Sequence, residues 1–200
     1  MSIQGLYKLG IKDLDRSVEV CAKAFIDYPT FPHVLGKKYN AGNLKKFIRF
    51  LTKYAILYGE AYASSEKIEG VILACDFDRY DYTLYRSLRC GILSLIRLGK
   101  DVRDRFNKFD KFTLKIHEKN IRIPHKYIIM MGVDPEKQGQ GYGRKMMTEV
   151  LKDAGDKGRP CYLETHGEKN VAIYKKLGFE IISENIMPDT DIVQYAMIKR

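Results

Sequence analysis

Apolar positions along this chain switch between two periods, and the switching predicts strands and helices in mixed order. After a short strand over residues 5–9, Leu14, Val18, Cys21 and Phe25 recur every three or four residues and predict a helix over 12–25. Pro29 and Pro32 predict a loop over 27–36. Leu44, Phe47, Phe50, Leu51, Tyr54 and Leu57 define one face of a helix over 43–58, closed by Gly59. Strands follow over 61–64 and 70–75, where the unbroken run Val71 to Ala74 predicts burial on both faces. Residues 79–120 read as a helical insertion, with helical spacing at Tyr80, Leu84, Leu88, Ile92 and Leu95 and a second helix over 102–118. Beyond Pro124 come a strand over 127–133, a glycine-rich turn over 138–143, and a helix through Met146, Met147, Val150 and Ala154. A strand over 161–165, a short helix over 170–177 and two last strands over 179–184 and 192–199 complete the order.

Composition fits a globular chain: 200 residues, 45% hydrophobic and 30% charged. The pattern has no internal repeat or low-complexity linker, so residues 1–200 read as one domain carrying the 79–120 insertion. Uncharged apolar stretches such as 91–96 are too short to cross a bilayer. Lys8, Lys12, Asp13 and Asp15 come too early for a signal peptide, so the expectation is a soluble, cytoplasmic protein. Cys21, Cys75, Cys90 and Cys161 are scattered, and the four histidines form no close pair. Reduced, buried thiols and no metal are expected. The net charge is +10, and the insertion, with eleven Lys or Arg against five Asp or Glu, supplies +6 of it. Apolar plus basic suits a membrane-surface helix. It suits better an amphipathic pair over a sheet with its charges in water.

Chemistry concentrates between Met130 and Lys145. A strand, a turn holding Gly139, Gly141 and Gly143, and a helix start make an anion site, because the first amides of a helix have no carbonyl partner. Arg144 and Lys145 add positive charge, so a di- or polyphosphate is the expected guest. A dinucleotide fingerprint fails, since the sixth position from Gly139 is Arg144 rather than glycine. The kinase-type phosphate loop fails too, for want of a Gly-Lys-Ser/Thr run.

The segment Gln138-Gly139-Gln140-Gly141-Tyr142-Gly143 resembles the Q/R-x-x-G-x-G/A signature of the GNAT superfamily of acyl-CoA-dependent N-acetyltransferases. Its context agrees: Val133-Asp134-Pro135 before it, and after it Asn170, Tyr174 four later and Leu177-Gly178-Phe179. The resemblance covers 126–184 and implies an α/β (α+β) fold: a mixed, mostly antiparallel, splayed sheet with helices on both faces. It implies acetyl-CoA as co-substrate and an N-acetyltransferase acting on a primary amine of a small molecule or peptide, by direct attack in a ternary complex. Backbone groups of Met131 and Val133 would hold the pantetheine arm and thioester. Amides of Gly139, Gly141, Tyr142, Gly143 and Arg144, with Gln138 at their start, would cradle the pyrophosphate. Asn170 would bond to the pantetheine, and Tyr174 would set its hydroxyl beside the departing sulfur.

The amine must lose a proton before attack. Glu164, on the strand facing the cofactor, is the first candidate base, with His166 and His125 as others. Asp76, Asp78 and Asp81 could bind a cationic acceptor or form a solvated turn. Residues 37–58 and 79–120 should build the acceptor side. The alternative is a non-catalytic module that senses acyl-CoA, or that binds nucleic acid through the basic insertion with Phe106, Phe109 and Phe112 as stacking platforms. A buried helix face is the commoner use of such spacing, so neither nucleic acid nor membrane is the expected partner. A homodimer is left open.

Overall fold

A computed structural model describes residues 3–200. Seven strands, β1 (Tyr7–Lys8), β2 (Glu60–Ala63), β3 (Gly70–Asp76), β4 (Lys126–Val133), β5 (Cys161–Thr165), β6 (Glu180–Ile186) and β7 (Val193–Lys199), form one sheet in the order β1-β2-β3-β4-β5-β7-β6. Neighbours run antiparallel except β4 and β5, which are parallel and pair only at Lys126 with Cys161 and Tyr127 with Tyr162. Beyond that the two strands part. On its other edge β4 carries a bulge: Leu73 pairs with Met130 and Ala74 with Ile128, so Ile129 has no partner. The extra residue changes faces. Ile128 and Met130, two apart, would share a face in a regular strand but pack into different cores here.

Helices cover both faces, as expected. On one, α1 (Leu14–Ala24) and α3 (Ala41–Tyr58) pack on β2 and β3 through Val18, Cys21, Leu44 and Ile48. On the other, α7 (Tyr142–Asp156) and α8 (Glu168–Lys176) bury Met146, Met147, Val150 and Val171. The stretch 27–36 departs from the predicted loop, because α2 occupies Thr30–Leu35. Its prolines do not prevent this: Pro29 is the N-cap and Pro32 lies in the first turn, where an N–H has no intrahelical acceptor to lose. The insertion holds three helices rather than two, α4 (Leu84–Cys90), α5 (Ile92–Ile96) and α6 (Lys100–Asn120). The last is part of the core. Its Ile116 and Phe112 pack on Tyr162, Ala196 and Ile198 of β5 and β7, while Phe106 and Phe109 meet a cluster of α2 and α3 side chains. The three phenylalanines therefore point inward instead of forming an exposed stacking face. Arg105 ties α6 to α2, donating from Nε to Val34 O (2.9 Å) and from Nη2 to Leu35 O (3.1 Å), the carbonyls that end α2. No helix of the described residues is long and apolar enough to cross a membrane.

All four cysteines are buried. Desolvation pushes the thiols of Cys21 and Cys161 up to about 12, leaving them unreactive at neutral pH.

Beside the β4–β5 contact lies a buried ion cluster. Lys126 Nζ, fully buried, sits 2.6 Å from Glu60 Oε1 and 2.7 Å from Asp76 Oδ1. Arg159 adds pairs to Asp76 (3.1 Å) and Asp78 (3.2 Å). Burial acts to raise the Asp76 pKa, but Lys126 and Arg159 outweigh it and hold the carboxylate below its ordinary value. Asp76 and Asp78, sequence candidates for a cationic acceptor, are thus taken up by the chain's own cations. Lys126→Met leaves Glu60 without a cation and Asp76 with Arg159 alone, and should cost about 3 kcal/mol, read as a lower urea midpoint at pH 7. An unchanged midpoint would show that the cluster contributes nothing.

Candidate active site

The parting of β4 from β5 opens a cavity of about 580 Å³ that runs from the glycine-rich turn, between the strands, to the inner faces of α2, α3 and α6. Leu163, Glu164, Thr165 and His166 line it from β5 and just beyond, and residues 127–133 line it from β4. Every proposed site residue, Met131, Val133, Gln138, Gly139, Gly141, Tyr142, Gly143, Arg144, Glu164, Asn170 and Tyr174, lines this one cavity. The insertion contributes Tyr80, Tyr82, Phe106, Phe109, Asp110 and Thr113, and residues 37–58 contribute Phe47, Phe50 and Leu51.

The turn has the geometry of an anion cradle. Gly139 and Gly141 adopt φ of +78° and +84°, in the left-handed region that glycine enters without penalty, and a Cβ at either would point into open space. Lys145 is the first amide of α7 to find a carbonyl, that of Gly141 at 2.9 Å. The amides between Gln138 and Lys145 have no carbonyl acceptor and face the cavity mouth at the positive end of the helix. The Gln138 side chain turns the other way: its Nε2 donates to Val133 O at 3.2 Å and anchors the turn to the end of β4.

Tyr174 packs edge-on against Phe179, with ring centroids 5.8 Å apart, and its hydroxyl has no partner among the described residues. Burial raises its pKa, as does nearby Tyr28 more weakly, so the phenol stays protonated. Asn170, one turn earlier on α8, faces the same space.

His166 is fully engaged. Its Nε2 lies 3.1 Å from Gln194 Oε1, its Nδ1 3.1 Å from the Tyr28 hydroxyl, and its backbone N–H donates to that hydroxyl at 3.0 Å. Gln194 Oε1 also accepts from Thr113 of α6 at 2.9 Å. The amide oxygen can only accept, so His166 carries its proton on Nε2 and takes the Tyr28 proton at Nδ1. Burial pushes its pKa down to about 4. The ring is a neutral strut that positions Tyr28, with no lone pair left for an acceptor amine.

Glu164 stands differently. Its side chain is 4% exposed, and Oε1 lies 3.4 Å from His117 Nδ1 on α6. His117 Nε2 meets His125 Nε2 at 2.7 Å, and His125 Nδ1 meets Ile123 O at 2.7 Å. A carbonyl only accepts, so His125 holds its proton on Nδ1, and burial keeps this ring neutral. Its bare Nε2 must then accept the Nε2 proton of His117. His117 Nδ1 is thereby turned to the Glu164 carboxylate, 3.4 Å away. Phe77 stacks on both imidazoles, 3.8 Å from His117 and 4.9 Å from His125 between centroids, and Tyr162 flanks His117 at 4.2 Å. His125 therefore belongs to the chain behind Glu164, with no place on the cavity wall.

Sequence reasoning passed over His117, Tyr28 and Gln194. His117 had a signal: with Phe106, Phe109, Asp110 and Thr113 it completes one stripe of α6 at spacings of three and four. Tyr28 lies in an aperiodic turn and had none.

His166 carries a pH signature. The native state refuses a proton that the unfolded chain binds below about 6.5, so stability falls as pH drops from 6.5 toward 4, by up to about 1.4 kcal/mol per pH unit. His166→Gln should flatten this slope in urea unfolding between pH 7 and 5. A slope identical to wild type would mean that His166 titrates normally.

Comparison with known proteins bears on this site. Residues 111–181, which span the turn, β5 and α8, match the family model for an acetyltransferase (GNAT) domain. An uncharacterized N-acetyltransferase of Schizosaccharomyces pombe is 27% identical over 84% of this chain and 71% of its own length. Among solved structures, histone acetyltransferase HPA2 and related acetyltransferase from Corynebacterium glutamicum superimposes with a TM-score of 0.65 at 18% identity, covering 97% of this chain and 94% of that one. PaiA N-acetyltransferase from Thermoplasma acidophilum in complex with coenzyme A does so with a TM-score of 0.52 at 17% identity, covering 100% and 99%. Residues 111–181 thus match a GNAT acetyltransferase domain, and the chain as a whole has the fold of solved acetyltransferases.

Proposed function

We propose that this protein moves the acetyl group of acetyl-CoA to a primary amine of a small molecule, by direct attack with both substrates bound. The observation that carries the reading is the continuity of one cavity. It begins at the unpaired amides of 139–144, passes along the free edges of β4 and β5, and ends where Tyr174 and Glu164 face the same space. The cradle suits a pyrophosphate, since backbone donors and Arg144 and Lys137 converge there with room for the guest. The strand edges offer N–H and C=O groups at the spacing of an extended chain, which suits the amide-bearing pantetheine arm.

Acetyl-CoA supplies an acetyl group already activated as a thioester. The amine arrives protonated and must lose a proton as its nitrogen bonds to the carbonyl carbon and the carbon–sulfur bond breaks. Glu164 accepts that proton, and His117, held by His125 through Nε2, fixes the carboxylate from Nδ1. Tyr174, held protonated by burial, donates its hydroxyl proton to the leaving sulfur. The neutral His166 strut and Tyr28 fix the end of β5 and so set where Glu164 stands. Orientation of two substrates in one cavity supplies most of the remaining acceleration.

Three measurements test this. The melting temperature should rise saturably with acetyl-CoA, by mass action on the folded state, and far less with ATP. Gly141→Glu, which forces a side chain onto a φ of +84° in the cradle, should abolish the rise. An equal rise with ATP would reduce the turn to a generic anion site. Glu164→Gln should lower kcat by about 10²-fold or more. His117→Phe, which removes the Nδ1 facing Glu164, should lower kcat while leaving the acetyl-CoA melting shift intact. A kcat unmoved by His117→Phe would assign the base elsewhere.

A further inference from the structure

The helices α4 and α5 are built the wrong way round for solvent. Toward the chain, α4 buries Ser87 and Cys90 and α5 buries Leu95. Cys90, Leu95 and Leu98 join Phe47, Phe50 and Tyr54 of α3 in one cluster. Away from α3 the pair exposes Leu84 (76%), Tyr85, Leu88, Leu93 and Ile96. In α4 the small groups thus face the core and the large apolar ones face out, the reverse of an amphipathic helix laid on a core. Both helices pack on the same cluster, so their outer sides look the same way. Five of the eleven large apolar side chains exposed among the described residues gather here, within 84–96. Single exposed apolar residues are ordinary, whereas a gathered set marks a contact surface.

The same stretch carries one sign of charge. Residues 84–100 hold Arg86, Arg89, Arg97 and Lys100 and no Asp or Glu. Arg86 turns inward, donating from Nη1 to Arg79 O (3.2 Å) and Asp81 O (3.3 Å). Arg89, Arg97 and Lys100 are exposed, and none has an ion-pair partner among the described residues. The Arg89 guanidinium lies 5.7 Å from the centroid of the Tyr85 ring, so cation and apolar patch adjoin.

We propose that the outer face of α4 and α5 docks on an anionic lipid surface. Leu84, Leu88, Leu93 and Ile96 enter the boundary between headgroups and acyl chains, and Arg89, Arg97 and Lys100 meet the phosphates. Helices of seven and five residues are too short to span a bilayer, so the contact is with one leaflet. Two features favour lipid over protein. The apolar side chains protrude, Leu84 most of all, and a bilayer takes protruding side chains without a matching pocket. A second copy of this chain would bring like charges together across a two-fold axis. Tyr85 with Arg89 beside it suits the interface, where both bury an apolar body and keep a polar end in water. The expectation that the insertion lies over the sheet with its charges in water is thus met by α6 and not by α4 and α5.

Co-sedimentation of the full chain with vesicles of phosphatidylcholine, alone or mixed three to one with phosphatidylserine, tests the proposal. Wild type should bind the mixed vesicles about tenfold or more tightly than phosphatidylcholine alone, and added salt should erode that preference. Arg89→Gln with Arg97→Gln should bring the two vesicles to near equality. Leu88→Gln with Ile96→Gln should weaken binding to the mixed vesicles by about tenfold or more. All four positions are exposed and glutamine is a good helix former, so both double variants should melt with wild type. Wild type that binds neither vesicle, or binding that survives both double variants, overturns the proposal. Wild type that ignores the mixed vesicles but binds polyglutamate through Arg89 and Arg97 would make the face a site for an acidic chain. A dimer in sedimentation velocity that Leu88→Gln with Ile96→Gln dissolves would make it a self-interface. Either result overturns the lipid assignment.

Discussion

The structure turns on where β4 and β5 stop being partners. Two pairs of residues hold these parallel strands together, at Lys126–Cys161 and Tyr127–Tyr162, and from there each strand presents an unpaired edge to the cavity. Unpaired strand edges inside a fold are costly unless something satisfies them. The opening is held apart from both sides. The Ile129 bulge re-aims the second half of β4, so that Met131 and Val133 turn toward the core under α7. On β5, Thr165 and His166 are drawn toward Tyr28, whose hydroxyl lies 3.4 Å from Thr165 Oγ1 and bonds to His166. Below the opening, Lys126 with Glu60 and Asp76, and the stacked rings of Phe77, His117 and Tyr162, fill the crotch where the strands still touch. A cleft kept open by packing on three sides is pre-organised for an extended guest, and little ordering remains to be done on binding.

The insertion ceases to be an insertion once this is seen. Its longest helix, α6, covers the C-terminal half of the sheet on the face that α1 and α3 cover at the N-terminal half. One stripe of α6 supplies the aromatic wall, Asp110, the Thr113 bond to Gln194 and the His117 contact with Glu164. The aromatic wall and Glu164 are thereby coupled through a single rigid element. A change that rotates α6 moves both.

Much of this was readable in the sequence. The turn from Gln138 to Gly143, Asn170, Tyr174 and Glu164 are local features tied to single elements, and the strand and helix order follows from apolar period. What escaped depends on partners distant in sequence. Nothing near Tyr28 announces a histidine 138 positions away, and nothing near His117 announces that Glu164 lies opposite. The helix α2 was hidden for a different reason: two prolines mark a break in most contexts, and only their placement at the N-cap and first turn makes them compatible with a helix. The cluster of Asp76 and Asp78 shows the reverse case, since acidic residues near a strand end look available until Lys126 is found on Asp76 and Arg159 on both.

The buried charges fall into two kinds, and the difference is informative. Lys126 is surrounded by two carboxylates at hydrogen-bond distance, so its desolvation is offset within the fold. Glu164 is not offset in this way: its side chain is 4% exposed, its one ion-pair partner among the described residues is His117 at 3.4 Å, and it lines the cavity. A buried carboxylate open to a cavity favours a guest that brings a hydrogen-bond donor or a positive charge to it, because that guest supplies what the fold withholds.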